Sequence, residues 1–152
     1  MSEPAGLRRA GPGDVAAVAA LQHAAYARNR DILGVEPLPL LADYGEVLAS
    51  HEVWLLDGDA GLDGTLILEP RTDDLLIWSI AAAPARSGAG IGNLLLAAAE
   101  ARARALGYAA MRLYTGDKLH RNVAWYERHG FVQERLEDLA DRRLVHMVKR
   151  LD

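Results

Sequence analysis

The segment Ile80-Ala81-Ala82-Ala83-Pro84-Ala85-Arg86-Ser87-Gly88-Ala89-Gly90-Ile91-Gly92-Asn93-Leu94-Leu95 holds the residues of this chain best suited to chemistry. An apolar run enters a turn with three alternating glycines and leaves it directly into a helical pattern. Successive backbone N–H groups can then converge on an anion at the helix N-terminus. Glycine serves there because side chains would block close approach and because some positions call for positive φ. The arrangement suits a phosphate, although spacing alone fits a plain strand-to-helix turn equally well. Two familiar phosphate loops do not match. No Gly-Lys-Ser/Thr follows the glycines, and Gly88, Gly90 and Gly92 are not spaced as G-x-G-x-x-G.

Other reactive side chains are few. The chain has no cysteine, which removes disulfides, thiolate metal sites and cysteine nucleophiles. His23, His51, His120, His129 and His146 show no paired ligand spacing, so no metal is expected and these read as surface or core histidines. Seventeen Lys and Arg against 21 Asp and Glu give a formal charge of −4. No overall pull toward nucleic acid or an anionic membrane exists, and any anion site has to be local.

One domain over residues 1–152 is expected to position these groups, because a chain of 152 residues can bury roughly 70% of its unfolded surface around a single core. A composition 51% hydrophobic and 25% charged excludes a disordered or repeat-biased chain. Arg8 and Arg9 ahead of the run Val15 to Leu21 imitate a secretory signal, but the run is short and alanine-rich and makes a better amphipathic helix. Nothing approaches the ~20 apolar residues of a membrane span. A cytoplasmic protein is expected.

The elements follow from periodicity and punctuation. Leu7 to Ala10 is extended, and Asp14 is placed to cap a helix carrying Val15, Val18, Leu21 and Ala25 on one stripe. Asn29 to Pro39 reads as a loop, followed by a helical stretch from about Leu40 to Ser50. Val53–Leu56 and Leu62–Leu68, joined by Asp57-Gly58-Asp59, form a hairpin with Gly64 inside it. Leu75 to Ile80 is apolar on both faces, which predicts a central strand and the floor of any site. Ile91 to Leu106 is a helix with Ile91, Leu94, Leu95 and Ala98 inward, ended by Gly107. Ala110–Thr115 is a strand, Leu119–His129 a helix stopped by Gly130, and Phe131–Arg135 with Leu144–Lys149 a closing hairpin. The order is α/β, of the α+β type.

With these residues in view, the chain resembles the GNAT superfamily of N-acetyltransferases. Gly90 and Gly92 match the glycines of its signature, Ile80-Ala81-Ala82-Ala83-Pro84 the strand end before it, and Leu94-Leu95 the helix start. Asn122-Val123-Ala124-Trp125-Tyr126-Glu127-Arg128-His129-Gly130-Phe131 resembles the family's late helix, with a tyrosine four residues before Gly-Phe. Two departures stand out. Ser87, beside Arg86, occupies the usual Arg or Gln position, and the asparagine present, Asn122, lies one helical turn after the position of the family's asparagine, Leu119.

The resemblance implies a mixed, strongly twisted sheet of about six to seven strands flanked by helices. It implies acetyl-CoA as co-substrate, held by Ser87, Gly88, Ala89, Gly90, Gly92 and Asn93 at its pyrophosphate, by the backbone of Ile80 and Ala82 along its pantetheine arm, and by Asn122. Tyr126 is the expected acid for the departing thiolate. The base stays unassigned: Ser79 could bind a water, while Glu69, Asp73 and Asp74 read as solvated turn residues. The early helices and their loop should build the acceptor pocket. Glu36, Asp43 and Tyr44 could attract a cation there, although a loop charge is commonly just solvated. Trp54 and Trp78 read as core. The implied activity is acetyl transfer to a primary amine of a small molecule or peptide, with no nucleic acid or membrane partner and a homodimer left open. The alternative is a non-catalytic acyl-CoA-binding or sensing module.

Overall fold

A computed structural model describes residues 6–152, so the first five residues of the expected domain lie outside those described. The strands are β1 (Arg8–Arg9), β2 (Glu52–Gly58), β3 (Gly61–Pro70), β4 (Leu75–Ala82), β5 (Ala110–Gly116), β6 (Val132–Asp138) and β7 (Arg143–Arg150). The helices are α1 (Val15–Tyr26), α2 (Asn29–Leu33), α3 (Tyr44–Ser50), α4 (Ile91–Ala105) and α5 (His120–Arg128). All strands join one seven-stranded mixed sheet of order β1-β2-β3-β4-β5-β7-β6. Only β4 and β5 run parallel; the remaining neighbours are antiparallel. The two-faced apolar strand is therefore the middle one, as its composition requires.

Strand alternation sorts the core into two layers. On one face Val53, Leu55 and Ile67 meet Val18 of α1 and Tyr44 and Val47 of α3. On the other, Leu66, Leu68, Leu75, Ile77 and Met111 meet Leu95 and Ala99 of α4, and Val123, Trp125 and Tyr126 of α5 join them. Gly64 lets α4 lie close to β3, for a Cβ there would come within 2.9 Å of Ile91 and 3.1 Å of Leu95. Among the described residues no helix is long and apolar enough to cross a membrane.

Several local expectations need correcting. Asp14 does not cap α1. Its carboxylate turns back to accept from the Gly11 N–H at 2.8 Å and pairs with Arg8, partners that compete directly with the helix amides. The segment read as a loop from Asn29 contains α2, closed by Gly34 at φ 74°. The next helix begins only at Tyr44, because Asp43 accepts from the Gly45 and Glu46 amides and caps it there. β2 continues through Asp57 and Gly58, so the hairpin turns at Asp59-Ala60. On α4, Leu94 is 42% exposed, and the inward stripe is Ile91, Leu95, Ala98 and Ala99.

Candidate functional site

The parallel pair β4 and β5 is joined only at its start, by Leu75 opposite Met111 and Leu76 opposite Arg112. Beyond that the strands part. On its other side β4 stays paired to β3, but Ile67 faces Ser79 while Leu68 faces Ile77, leaving Trp78 as an extra residue. Such a bulge bends and twists the strand that carries it.

One hydrogen bond fixes which backbone groups face the gap. Ala83 N–H donates to the Asp63 carbonyl at 2.8 Å, with Gly64 opposite Ala82. That makes Gly64 and Ala82 a non-hydrogen-bonded pair, so by antiparallel alternation Ser79 and Ala81 direct their peptide groups at β3. Ile80 and Ala82 direct theirs to the opposite edge, where no strand pairs with them. The Asp117 N–H donates to Arg143 at 3.0 Å, and the same alternation turns the peptide groups of Tyr114 toward this gap from β5.

A cavity of about 350 Å³ fills the gap. Tyr26, Leu33 and Pro37 line it from the face covered by α1, and Gly92, Asn122, Trp125 and Tyr126 from the face covered by α4 and α5. The cavity is therefore lined from both faces of the sheet.

The glycine turn continues from the cavity. Gly88 and Gly90 have φ of 82° and 81°, the left-handed conformation that favours glycine. The first helical hydrogen bond runs from Leu94 N–H to the Gly90 carbonyl. Among the described residues no acceptor meets the N–H groups of Gly88, Gly90, Ile91, Gly92 and Asn93, the orphan donors of a helix start. Ser87, Gly88, Ala89, Gly90 and Asn93 are exposed. Gly92 packs toward Trp125, 3.4 Å from where a Cβ would sit. Arg86 is drawn aside to Asp63 at 3.5 Å.

Tyr126 stands edge-on to Trp125 and Phe131, with ring centroids 4.9 and 5.6 Å away. Tyr126 lines the cavity, and its hydroxyl bonds to no described residue. Burial pushes its pKa well above the ordinary tyrosine range, and the nearby Tyr26 hydroxyl adds a smaller push. It stays protonated throughout the neutral range.

Gln22, fully buried on α1, organises a polar chain that periodicity did not reveal. Thr65 donates to its carbonyl at 2.5 Å, and its amide donates to Ser79 at 2.9 Å and to Tyr44 at 3.2 Å. Tyr44 donates onward to the Pro39 carbonyl. Ser79 and Tyr26 share a 2.8 Å bond, and the Tyr26 hydroxyl lies 3.3 Å from the Ile80 carbonyl. Since Gln22 already supplies Ser79 with a donor, the arrangement that satisfies every group has Ser79 donating to Tyr26 and Tyr26 donating at Ile80. Ser79 thus has its proton committed to Tyr26. A glutamine within the Val18–Leu21–Ala25 stripe was the available signal for this network.

Ile80, Ala82, Gly92, Asn122 and Tyr126 thus line one cavity, and Ser87, Gly88, Ala89, Gly90 and Asn93 form the turn beside it. The early helices and their loop line the cavity, through Tyr26, Leu33 and Pro37 among others, but the three side chains singled out there do not. Glu36 is paired with Arg30 at 2.7 Å, Asp43 caps α3, and Tyr44 belongs to the buried network; none lines the cavity. Asp74, read as solvated, is 4% exposed between Arg71 and Arg112, which hold its carboxyl below the usual range. Trp54 is core, while the half-buried Trp78 also touches the cavity. Among the described residues no group of histidines and carboxylates could hold a metal.

The model of the acetyltransferase (GNAT) domain matches residues 49–133, more than half of the chain. Three solved structures share the fold. A GCN5-related N-acetyltransferase from Rhodopseudomonas palustris is 20% identical with TM-score 0.80, over 99% of this chain and 98% of that one. The PaiA N-acetyltransferase from Thermoplasma acidophilum, in complex with coenzyme A, is 16% identical with TM-score 0.78, over 95% and 98%. A ribosomal-protein-alanine N-acetyltransferase from Brucella melitensis is 17% identical with TM-score 0.72, over 95% and 99%. Identities this low carry the fold alone. No curated protein sequence matches.

Proposed function

Because this chain belongs to the GNAT acetyltransferase family, we propose that it transfers the acetyl group of acetyl-CoA to a primary amine by direct attack in a ternary complex. The observation that carries this reading is the cavity through the sheet, with β4 peptide groups along it that no strand pairs and a ring of unpartnered amides at one end. Backbone N–H groups of residues 88–93 suit a pyrophosphate, because they are fixed, convergent and aided by the positive end of α4. The edge presented by Ile80 and Ala82 suits an extended amide-bearing arm, which would add as a strand. Asn122 lies within reach of the same arm from α5.

Bound there, acetyl-CoA supplies an activated carbonyl. The chain's own groups orient and polarise it: an N–H on the β4 edge stabilises charge developing on the carbonyl oxygen. Alkylamines have pKa near 10.4, so the acceptor gives up one proton to water before its nitrogen bonds the carbonyl carbon and a second to water once that bond has formed. As the carbon–sulfur bond breaks, Tyr126 donates its proton to the thiolate and recovers one from solvent. The acceptor arrives from the α1 and α2 face, opposite the glycine turn.

Among the described residues no carboxylate lines the cavity, and this favours a second reading, a module that binds acyl-CoA without turnover. Free thiol release separates the two, because the chain contributes no cysteine to a thiol dye. Calorimetric binding of coenzyme A together with thiol release on some member of an amine panel supports the enzyme. Binding with no release on any amine supports the module, and no binding removes both.

A further inference from the structure

Two arginines line the cavity, Arg28 and Arg142, and among the described residues no acid does. Their placement is specific. Arg28 immediately precedes α2, and α2 lies over the end of β5, where Gly116 has no room for a Cβ beside Leu33. Arg142 belongs to the turn between β6 and β7, whose Arg143 carbonyl accepts the Asp117 N–H just past the same strand end. Both thus reach the cavity at the C-terminal end of β5, away from the amide ring of residues 88–93.

The Arg28 guanidinium is unpaired, whereas Arg142 shares its charge with Asp141 and keeps one nitrogen uncommitted. Arg28 makes no hydrogen bond or ion pair with any described residue. Arg142, with a side chain only 7% exposed, gives Nε and Nη2 to the exposed Asp141 at 3.0 Å each. Its Nη1 meets no described acceptor. Nearby acids are committed elsewhere, Glu36 to Arg30 and Asp43 to the α3 amides. With Asp141 offsetting part of the Arg142 charge, the wall keeps a net positive charge from Arg28, which repels an ammonium group and attracts an anion. Guanidinium forks match carboxylates in particular, through paired N–H···O bonds.

Resting on the acetyl-transfer reading, we infer that the acceptor is a small amine carrying its own carboxylate, an amino-acid-like molecule whose acid group is held by Arg28 and Arg142. The carboxylate anchors the acceptor at the end of β5, and the amine extends along the gap toward Ile80. Excess positive charge there also favours the uncharged form of the amine, the form that attacks.

The test compares a set of free amino acids with their amides and with the corresponding decarboxylated amines, by thiol release at saturating acetyl-CoA. The amino acids are expected to exceed both neutral sets in kcat/KM by roughly 10- to 100-fold, the range of a charge-assisted hydrogen bond. Arg28→Ala and Arg142→Ala should raise KM for the acid at least tenfold and leave KM for acetyl-CoA unchanged, with the melting temperature unchanged for the exposed Arg28 and lowered for the largely buried, Asp141-paired Arg142. Arg30→Ala, which removes an equal charge outside the cavity, should change neither constant. Amides or decarboxylated amines reacting as well as the acids overturn the inference while leaving acetyl transfer in place. A rise in KM for acetyl-CoA alone reassigns the arginines to the donor and also overturns it. Loss of coenzyme A binding by the unaltered protein removes the reading beneath it instead.

Discussion

Tyr126→Phe deletes one hydroxyl and keeps the ring. Because that hydroxyl bonds to no described residue, and the ring packs edge-on between Trp125 and Phe131, the substitution strands no buried partner. Stability should change by less than about 0.5 kcal/mol. The rate should respond differently. General acid catalysis contributes roughly 10²- to 10⁴-fold, about 3 to 5 kcal/mol of barrier at 1.36 kcal/mol per tenfold. The structure places this case near the lower bound. Burial holds the tyrosine above its ordinary pKa of 10, whereas a thiol ionises near 8.5, so the transfer is uphill and is completed only as Tyr126 recovers a proton from solvent. We expect kcat to fall about 100-fold at nearly constant KM for acetyl-CoA, with a smaller loss for acyl donors whose thiols are more acidic. The assay is thiol release under conditions where chemistry limits the rate, with coenzyme A affinity measured calorimetrically in parallel. Turnover within threefold of the unaltered protein would falsify the assignment and leave Tyr126 a packing residue.

Other outcomes follow from the same geometry. Gly90 sits at φ 81°, so Gly90→Val forces the amide ring out of shape and should abolish calorimetric coenzyme A binding in a protein that still melts cooperatively. Ser87 is exposed beside that ring, and Ser87→Arg should tighten binding by at most ~1.5 to 3 kcal/mol, an effect that weakens with salt. Gly64→Ala sets a methyl 2.9 Å from Ile91 and 3.3 Å from the Ala81 carbonyl, and denaturant unfolding should show a loss of about 1 to 3 kcal/mol. Asp74 is held below its ordinary value of 3.8 by Arg71, with Arg112 adding to the effect against the cost of burial. Its ionised form is therefore the one the fold favours, and its contribution is complete above that value and lost as pH falls below it. Asp74→Asn should cost about 1 to 3 kcal/mol at pH 7, and the difference should shrink below pH 4 in paired acid titrations.

The sequence by itself determined the elements that depend on neighbours along the chain. The alternating glycines marked a strand-to-helix turn because positive φ and close approach are properties of the glycine itself, and the spacing of Tyr126 to Gly130-Phe131 carried the resemblance to the family. The apolar run of β4 placed that strand at the centre of the sheet. The missed or displaced features depend on which partner each side chain finds once the chain has folded. Asp14 left its helix for Arg8 and the Gly11 amide, Asp74 was buried by Arg112 from another strand, and Glu36 was taken by Arg30 across the turn after α2. Gln22 looked like a polar interruption in a helix stripe until Thr65, Ser79 and Tyr44 closed around it. Above all, the gap between β4 and β5 is a matter of register. Leu75 to Ala82 reads as an ordinary buried strand, and only the loss of pairing after Leu76, with the bulge at Trp78, turns its peptide groups into a binding edge. Local chemistry is written residue by residue. Which charges meet, and which backbone groups stay unpaired, is decided when the strands take their places.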